Sequence, residues 1–173
     1  MLKSLLRYCV PAVAALMMSG CGDEVNDDRI PYAEVHLTFM TVGDWNVHGV
    51  KGDAADYRCY IYTPNARPPE RVPADFPFTG LDHTGFGGIM LVTDVLGDLH
   101  AYGMACPYEA RPTLRISVPA GSTEARCSQC GSTFDIYMNH GNPLSGPAAD
   151  RGYALRRYHV GSGGATSYRV ITR

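Results

Sequence analysis

The chain has 173 residues, of which 18% are charged and 45% are apolar, and its formal net charge is −2. This apolar share excludes a wholly disordered chain, the low charged fraction excludes a long coiled coil, and the lack of excess basic residues excludes a nucleic-acid-binding surface. The 19 Gly, 12 Pro and 11 Tyr residues favour β structure over helices.

The first twenty residues have the pattern of a bacterial lipoprotein signal. Lys3 and Arg7 precede an apolar run over residues 9–18, which is shorter than the roughly 20 residues that a membrane-spanning helix needs. The run ends at Met18-Ser19-Gly20-Cys21, which resembles a lipobox, where the cysteine carries the lipid after cleavage. The sequence therefore predicts a signal peptide over residues 1–20 and lipidation of Cys21. An ordinary signal peptide with a chance cysteine is the alternative.

This signal implies a location and a partner. A lipidated Cys21 would anchor the chain in the cell envelope of a Gram-negative bacterium, on the outer membrane, with the membrane as its partner. Residues 21–29 are predicted to be an acidic, solvated tether, because Gly22 to Arg29 is short, acidic and without periodicity. Residues 30–173 are predicted to form a single domain.

The domain is predicted to be all-β and antiparallel, with short strands and long loops. Alternating or continuous apolar patterns predict strands within residues 31–40, 57–62, 89–93, 99–102, 114–118, 134–137, 154–160 and 167–172. The third and fourth of these strands are predicted to form a hairpin, with Gly97 available for a positive φ. The proline-rich stretch 65–84 is predicted to be irregular, and no ten-residue stretch has a helical period.

Four cysteines lie in the predicted domain, and three of them suggest a metal site. The secretory signal implies an oxidising compartment, where thiols are paired or ligated more often than free. Cys127-Ser-Gln-Cys130 followed by Gly131 has the shape of a knuckle that directs two sulfurs at one ion, and Cys106-Pro107 lies upstream. The knuckle needs a turn with a positive φ at Gly131. Cys59, in an alternating strand, is predicted to be a buried small hydrophobe.

Residues 87–160 resemble the Rieske iron–sulfur domain. Cys127-Ser-Gln-Cys130-Gly-Ser-Thr-Phe-Asp135 is similar to the second cluster-binding loop of that family, and Gly146-Pro147-Ala148 is similar to its later Gly-Pro-Ala motif. The strand that leads to Cys106-Pro107 is similar to the strand before the first loop. The resemblance implies stacked antiparallel sheets whose two loops form a tip around a 2Fe–2S cluster, with Pro107, Gly131, Gly146 and Pro147 as structural residues of the tip.

The ligand positions depart from the family pattern. Tyr108 and Cys130 stand where the family has histidines, so the resemblance implies Cys106, Tyr108, Cys127 and Cys130 as ligands. None of the six histidines falls at a ligand position of the family. Anionic ligands in place of neutral imidazoles would lower the reduction potential of the cluster toward that of all-Cys clusters, about −400 mV.

Two alternatives to a 2Fe–2S cluster remain open for this site, a zinc ion and a disulfide. Three thiolates with His140 or water suit zinc, and a disulfide from Cys106 to Cys127 or Cys130 would join the loops without metal. Two functions follow: electron transfer or redox sensing with a redox partner protein, or a cluster-less scaffold for binding or envelope assembly. The sequence has neither a Gly-x-Ser-x-Gly nucleophile motif nor a phosphate-binding glycine loop, so nothing in it predicts a hydrolase or transferase.

Overall fold

The computed structural model describes residues 26–53, 55–162 and 168–173. The predicted signal peptide, the predicted lipidation site Cys21 and the first part of the predicted tether lie outside the described residues. Residues 163 and 164 of the predicted last turn also lie outside them. Among the residues that are described, no helix has the length and apolarity needed to cross a membrane.

The described residues form antiparallel sheets and two short helices, so the predicted all-β fold class is confirmed. The helices are α1 (Val42–His48) and α2 (Pro147–Asp150). The strands in chain order are β1 (Val35–Phe39), β2 (Tyr57–Thr63), β3 (Glu70–Val72), β4 (His83–Thr84), β5 (Ile89–Thr93), β6 (Leu99–Gly103), β7 (Ile116–Ser117), β8 (Glu124–Cys127), β9 (Thr133–Asp135), β10 (Asn142–Ser145), β11 (Arg157–Ser162) and β12 (Arg169–Thr172).

Two sheets contain these strands. The larger sheet has eight strands in the order β3-β2-β5-β6-β11-β12-β1-β4, and the smaller has four in the order β10-β9-β8-β7. The Tyr62 N–H of β2 donates to the Thr84 hydroxyl of β4 at 3.0 Å, so the two ends of the larger sheet approach each other. The smaller sheet consists of consecutive strands and lies next to the extended chain that leaves β6.

Strand β5 is buried on both faces and separates two hydrophobic clusters. Ile89 and Leu91 face one cluster, whereas Met90 and Val92 face the other, and all four side chains are inaccessible to solvent. A strand buried on both faces requires a continuous apolar sequence rather than an alternating one, which explains the run Ile89-Met-Leu-Val. The cluster that Met90 and Val92 face also contains residues of β8, β9 and the segment around Cys106, so it fills the space between the sheets.

The predicted hairpin is confirmed. Strands β5 and β6 pair antiparallel, and Gly97 in their turn has a φ of 89°. Asp94 holds this turn, because its Oδ1 accepts the N–H groups of Leu96 and Asp98 at 2.8 and 2.9 Å and its Oδ2 lies 3.0 Å from Nε2 of His100.

The proline-rich stretch is more regular than the sequence predicts. Residues 65–84 contain β3, which pairs with β2, and β4, which pairs with β1. Both strands are very short and lie at opposite ends of the strand order. Proline is tolerated beside a short edge strand because it need not donate to the ladder, and Pro69 and Pro73 flank β3 rather than interrupt it.

Helix α1 is absent from the sequence prediction because it is short and contains no buried residue. Its N-terminus has a local signal, the capping box Thr41-x-x-Asp44. The Thr41 hydroxyl accepts the Asp44 N–H, and the Asp44 carboxylate accepts the Thr41 N–H, each at 3.0 Å.

Residues 26–30, here called the docked segment, contact the domain, although Asn26, Asp28 and Arg29 of the predicted tether remain exposed. The Asn26 N–H donates to the Gly152 carbonyl at 2.8 Å, and the Asn26 carbonyl accepts the Ala154 N–H at 2.9 Å. Asp27 and Asp28 form ion pairs, with Arg157 and Arg156 respectively, and Ile30 is buried. These partners lie more than a hundred residues away in sequence, so local composition does not reveal them.

Candidate metal centre

A short backbone ladder places Cys106 beside the smaller sheet. The Cys106 N–H donates to the Leu114 carbonyl at 2.9 Å, and the Ile116 N–H donates to the Met104 carbonyl at 2.8 Å. Residues 104–106 and 114–116 therefore run antiparallel, with a bridge between Ala105 and Arg115. Strand β7 continues this ladder into β8, where Ile116 lies opposite Cys127.

The second cysteine loop is a tight turn between β8 and β9. The Gly131 N–H donates to the Cys127 carbonyl, and the Cys127 N–H donates to the Ser132 carbonyl, both at 3.0 Å. Gly131 has a φ of 76°, the left-handed conformation that the sequence predicts there. This turn directs the side chains of Cys127 and Cys130 to the same side of the loop as Cys106.

The sulfur atoms of Cys106, Cys127 and Cys130 all lie within 4.8 Å of one another. The sulfurs of Cys106 and Cys130 are 3.6 Å apart, well beyond the disulfide bond length of about 2.05 Å. With zinc–sulfur bonds of about 2.3 Å, two ligands of one tetrahedral ion lie about 3.8 Å apart. The observed separation is therefore close to that between two ligands of one ion.

Hydrogen-bond donors surround two of the sulfurs unequally. Burial raises the pKa of the Cys106 thiol far above its usual range, although the N–H groups of Glu109 and Tyr108 oppose this shift. Burial also raises the pKa of Cys130, but hydrogen bonds from the Ser132 hydroxyl and N–H, and from the other two thiols, outweigh it and leave the pKa below its ordinary value. Cys130 is therefore the thiol that ionises more readily than Cys106.

Ser132 packs against the Cys130 sulfur, and Gly146 packs against Ser132. The Ser132 Oγ lies 3.2 Å from the Cys130 sulfur and accepts the Ala148 N–H at 3.0 Å. Gly146 has a φ of 77°, and a Cβ added there would lie 2.9 Å from the Ser132 Cα. Sequence reasoning gave Ser132 no role of its own, although its position in the Gly-Ser motif after Cys130 was a usable signal.

The other candidate residues have different surroundings. Tyr108 lies in the Cys106 loop with 40% of its surface exposed, and Pro107 before it is buried. Among the described residues, the group of convergent metal-ligating side chains contains no histidine, and the ring of His140 instead lies edge-on to His100 at 5.1 Å. Cys59 packs against the core cluster, and burial raises its pKa to about 11.

Comparisons with known proteins add no assignment. No family model matches this sequence, and no curated protein and no solved structure matches it either. The structure thus establishes an all-β antiparallel fold with three convergent cysteines, and the resemblance to Rieske domains depends on the motifs of residues 87–160.

Proposed function

We propose that this protein is a lipid-anchored envelope protein whose β domain binds one zinc ion through the thiolates of Cys106, Cys127 and Cys130. One observation carries the proposal: three free cysteine sulfurs from two separate loops lie within 4.8 Å of one another. Three thiolates suit zinc, which accepts sulfur ligands in a tetrahedral arrangement. The fourth donor is water or Tyr108, which follows Cys106 by two residues in the same loop.

The mutual distances favour a single ion over a 2Fe–2S cluster. In such a cluster each iron takes two protein ligands, so at least one of three cysteines binds a different iron from the other two. Sulfurs on different irons are separated further by the iron–iron vector, whereas the sulfurs of Cys106 and Cys130 are only 3.6 Å apart and all three lie within 4.8 Å of one another. The metal in this proposal joins the two loops and makes the domain a binding or structural module.

Electron transfer by a 2Fe–2S cluster is the second candidate, and the packing behind the cysteines favours it. The Gly146-Pro147-Ala148 segment lies directly on Ser132, next to the Cys127–Cys130 loop, as expected if the Rieske resemblance extends to the arrangement of the loops. In this candidate, Tyr108 completes the ligand set and a redox partner protein approaches the exposed side of the loops.

Metal analysis of the full-length protein, purified in detergent without oxygen, separates the candidates. We expect about one zinc per chain and no visible absorption, and replacement of zinc by cobalt should give the intense bands of tetrahedral thiolate-bound Co²⁺. About two irons per chain with visible absorption would instead establish the cluster. A metal-free protein that has lost the free thiols of Cys106 and Cys130 would show that a disulfide fills the site.

The envelope location depends on Cys21, the predicted lipidation site. We expect Cys21→Ser to leave the chain unprocessed or to release it from the membrane fraction, because no polybasic cluster offers a second anchor. Fractionation of cells in high salt, followed by immunoblotting, measures this. Cys59→Ser is the matched control and should remain with the membranes. A Cys21→Ser protein that is processed normally and stays membrane-bound at high salt would contradict the anchor.

A further inference from the structure

The three cysteine sulfurs of the proposed metal centre differ in their access to solvent. Cys106 is completely buried and Cys127 is 1% exposed, whereas Cys130 is partly exposed. The sulfur of Cys130 also has less protein around it than the sulfur of Cys106. A thiol-reactive molecule in solution therefore reaches Cys130 before it reaches the other two cysteines.

Cys106 is the neighbour with which a modified Cys130 would react next. The two sulfurs lie 3.6 Å apart, and a disulfide bond is about 2.05 Å long, so they need to approach by about 1.5 Å. A backbone hydrogen bond to the Leu114 carbonyl, 2.9 Å long, holds Cys106 in its loop. The bond of 3.0 Å from the Gly131 N–H to the Cys127 carbonyl holds the loop of Cys130. The pair is therefore placed for a covalent bond between the two loops.

A bond between Cys106 and Cys130 is incompatible with the proposed zinc ion. Thiolates bind zinc and disulfide sulfurs do not, so Cys127 would remain with Tyr108 at most. In the part of the chain that the structure describes, no histidine or carboxylate belongs to the convergent group and could replace the two lost ligands. Zinc sites in proteins ordinarily have three or four protein ligands, so oxidation of this pair would empty the site.

We propose that Cys130 is a modification site for low-molecular-weight organic disulfides, and that its oxidation joins it to Cys106 and releases the zinc ion. This inference rests on the zinc centre proposed above. In the first step the Cys130 thiolate attacks one sulfur of the small disulfide and forms a mixed disulfide, while the other half leaves as a thiolate. In the second step the Cys106 thiolate attacks the Cys130 sulfur, and the second half leaves as a thiolate. Two electrons pass from the two cysteines to the small disulfide, whose two thiolates take up protons from water.

The unequal burial of the two cysteines suits this order of attack. The small disulfide approaches Cys130 from solvent, and both leaving thiolates depart to solvent. Cys106 is buried, so a small disulfide in solution cannot block it before it attacks Cys130. Zinc occupancy of the domain would thus depend on the balance between thiols and disulfides around it.

Zinc release from the full-length, zinc-loaded protein in detergent tests the proposal. Hydroxyethyl disulfide is added without oxygen, a chromogenic chelator measures the released zinc, and mass spectrometry of peptic peptides locates each disulfide. We expect the amount of released zinc to equal the amount of the Cys106–Cys130 bond, and dithiothreitol with added zinc to restore the loaded protein. The chelator without the disulfide is the control.

Three variants assign the steps to residues. Cys106→Ser should accumulate the mixed disulfide at Cys130, because the attacking thiol of the second step is missing. Cys130→Ser should react at least about tenfold more slowly at Cys106 and Cys127, because both are buried. These two variants have lost a zinc ligand, so they are compared with the wild type in the metal-free form, and circular dichroism shows whether they are folded. Cys59→Ala removes a cysteine outside the group and should release zinc at the wild-type rate.

The outcomes separate this inference from the zinc centre itself. A protein that takes up no zinc would refute the metal centre and with it the release of zinc, whereas the peptide map of the metal-free protein still tests the order of Cys130 and Cys106. The inference is overturned if the loaded protein keeps its zinc in excess disulfide, or if the bond forms between Cys127 and Cys130 instead. It is also overturned if Cys130→Ser reacts as fast as the wild type.

Discussion

Addition of zinc is expected to raise the melting temperature of the metal-free protein by about 5–10 °C, and Cys127→Ser is expected to remove this shift. A ligand present at 100 times its dissociation constant stabilises the folded state by about 2.7 kcal/mol. In a chain of this size each kcal/mol corresponds to about 2–4 °C. The side chain of Cys127 is 1% exposed, and its sulfur is one of the three that converge, so serine at this position leaves only two thiolates for the ion.

The matched control for this experiment is Cys59→Ala. Cys59 is a fourth free cysteine, but it lies on β2 outside the convergent group, and its raised pKa of about 11 keeps it protonated near neutrality. Its replacement should lower the melting temperature somewhat through lost packing while leaving the zinc-dependent shift intact. Differential scanning fluorimetry with and without chelator measures both quantities. A Cys127→Ser protein that keeps the full zinc-dependent shift would refute the three-thiolate site.

Gly146→Ala is expected to lower the free energy of unfolding by about 3 kcal/mol. Gly146 has φ 77° and ψ −172°, a conformation that is essentially restricted to glycine and costs other residues about 1–3 kcal/mol. An added Cβ would also lie 2.9 Å from the Ser132 Cα and 3.1 Å from its N atom. Because backbone atoms cannot rotate away as a side chain can, this contact adds an overpacking cost of about 1–3 kcal/mol. Urea denaturation of the metal-free protein gives the loss directly.

Gly131→Ala separates the strain of the backbone from the steric contact. Gly131 has almost the same φ, 76°, but an added Cβ would meet only the end of the Arg126 side chain, at 3.8 Å. We therefore expect Gly131→Ala to cost about 1 kcal/mol, the price of the left-handed conformation alone. If the two alanine variants lost the same free energy of unfolding, the steric contact between residue 146 and Ser132 would not contribute to the loss.

The strands that the sequence predicts are those with a strong local pattern. The hairpin of β5 and β6 was predictable because a continuous apolar run, a Gly turn and a second run follow one another within 15 residues. Strand β8 was not predicted, because four residues are too few for alternation to stand out, even though Ala125 and Cys127 face the core. The sequence contains the capping box of α1 at Thr41 and Asp44, but no apolar residues at helical spacing follow it.

The cysteine site was predictable only in part. Spacing and the Rieske resemblance indicated Cys106, Cys127 and Cys130, and the structure brings these three sulfurs together. The resemblance also pointed to Gly131 and Gly146, both of which adopt positive φ values. The hydrogen bond from Ala148 to Ser132, and the contact of Gly146 with the same serine, depend on how two distant loops pack. No local pattern encodes such packing, so it needs the folded structure.

In the proposed lipid-anchored protein, the docked segment would limit how far the cysteine site lies from a membrane. The backbone spans at most about 3.5 Å per residue, so an acylated Cys21 would hold Asn26 within about 17 Å of the lipid, roughly half the distance that a tether free up to Ile30 would allow. Asn26 binds Gly152, the Tyr153 N–H donates to the Ala148 carbonyl, and Ala148 contacts Ser132 beside Cys130. A short chain of contacts therefore connects the cysteines to the end of the domain that an acylated Cys21 would tether. In the proposed lipid-anchored protein, a partner that delivers metal or electrons to them would work near the membrane surface.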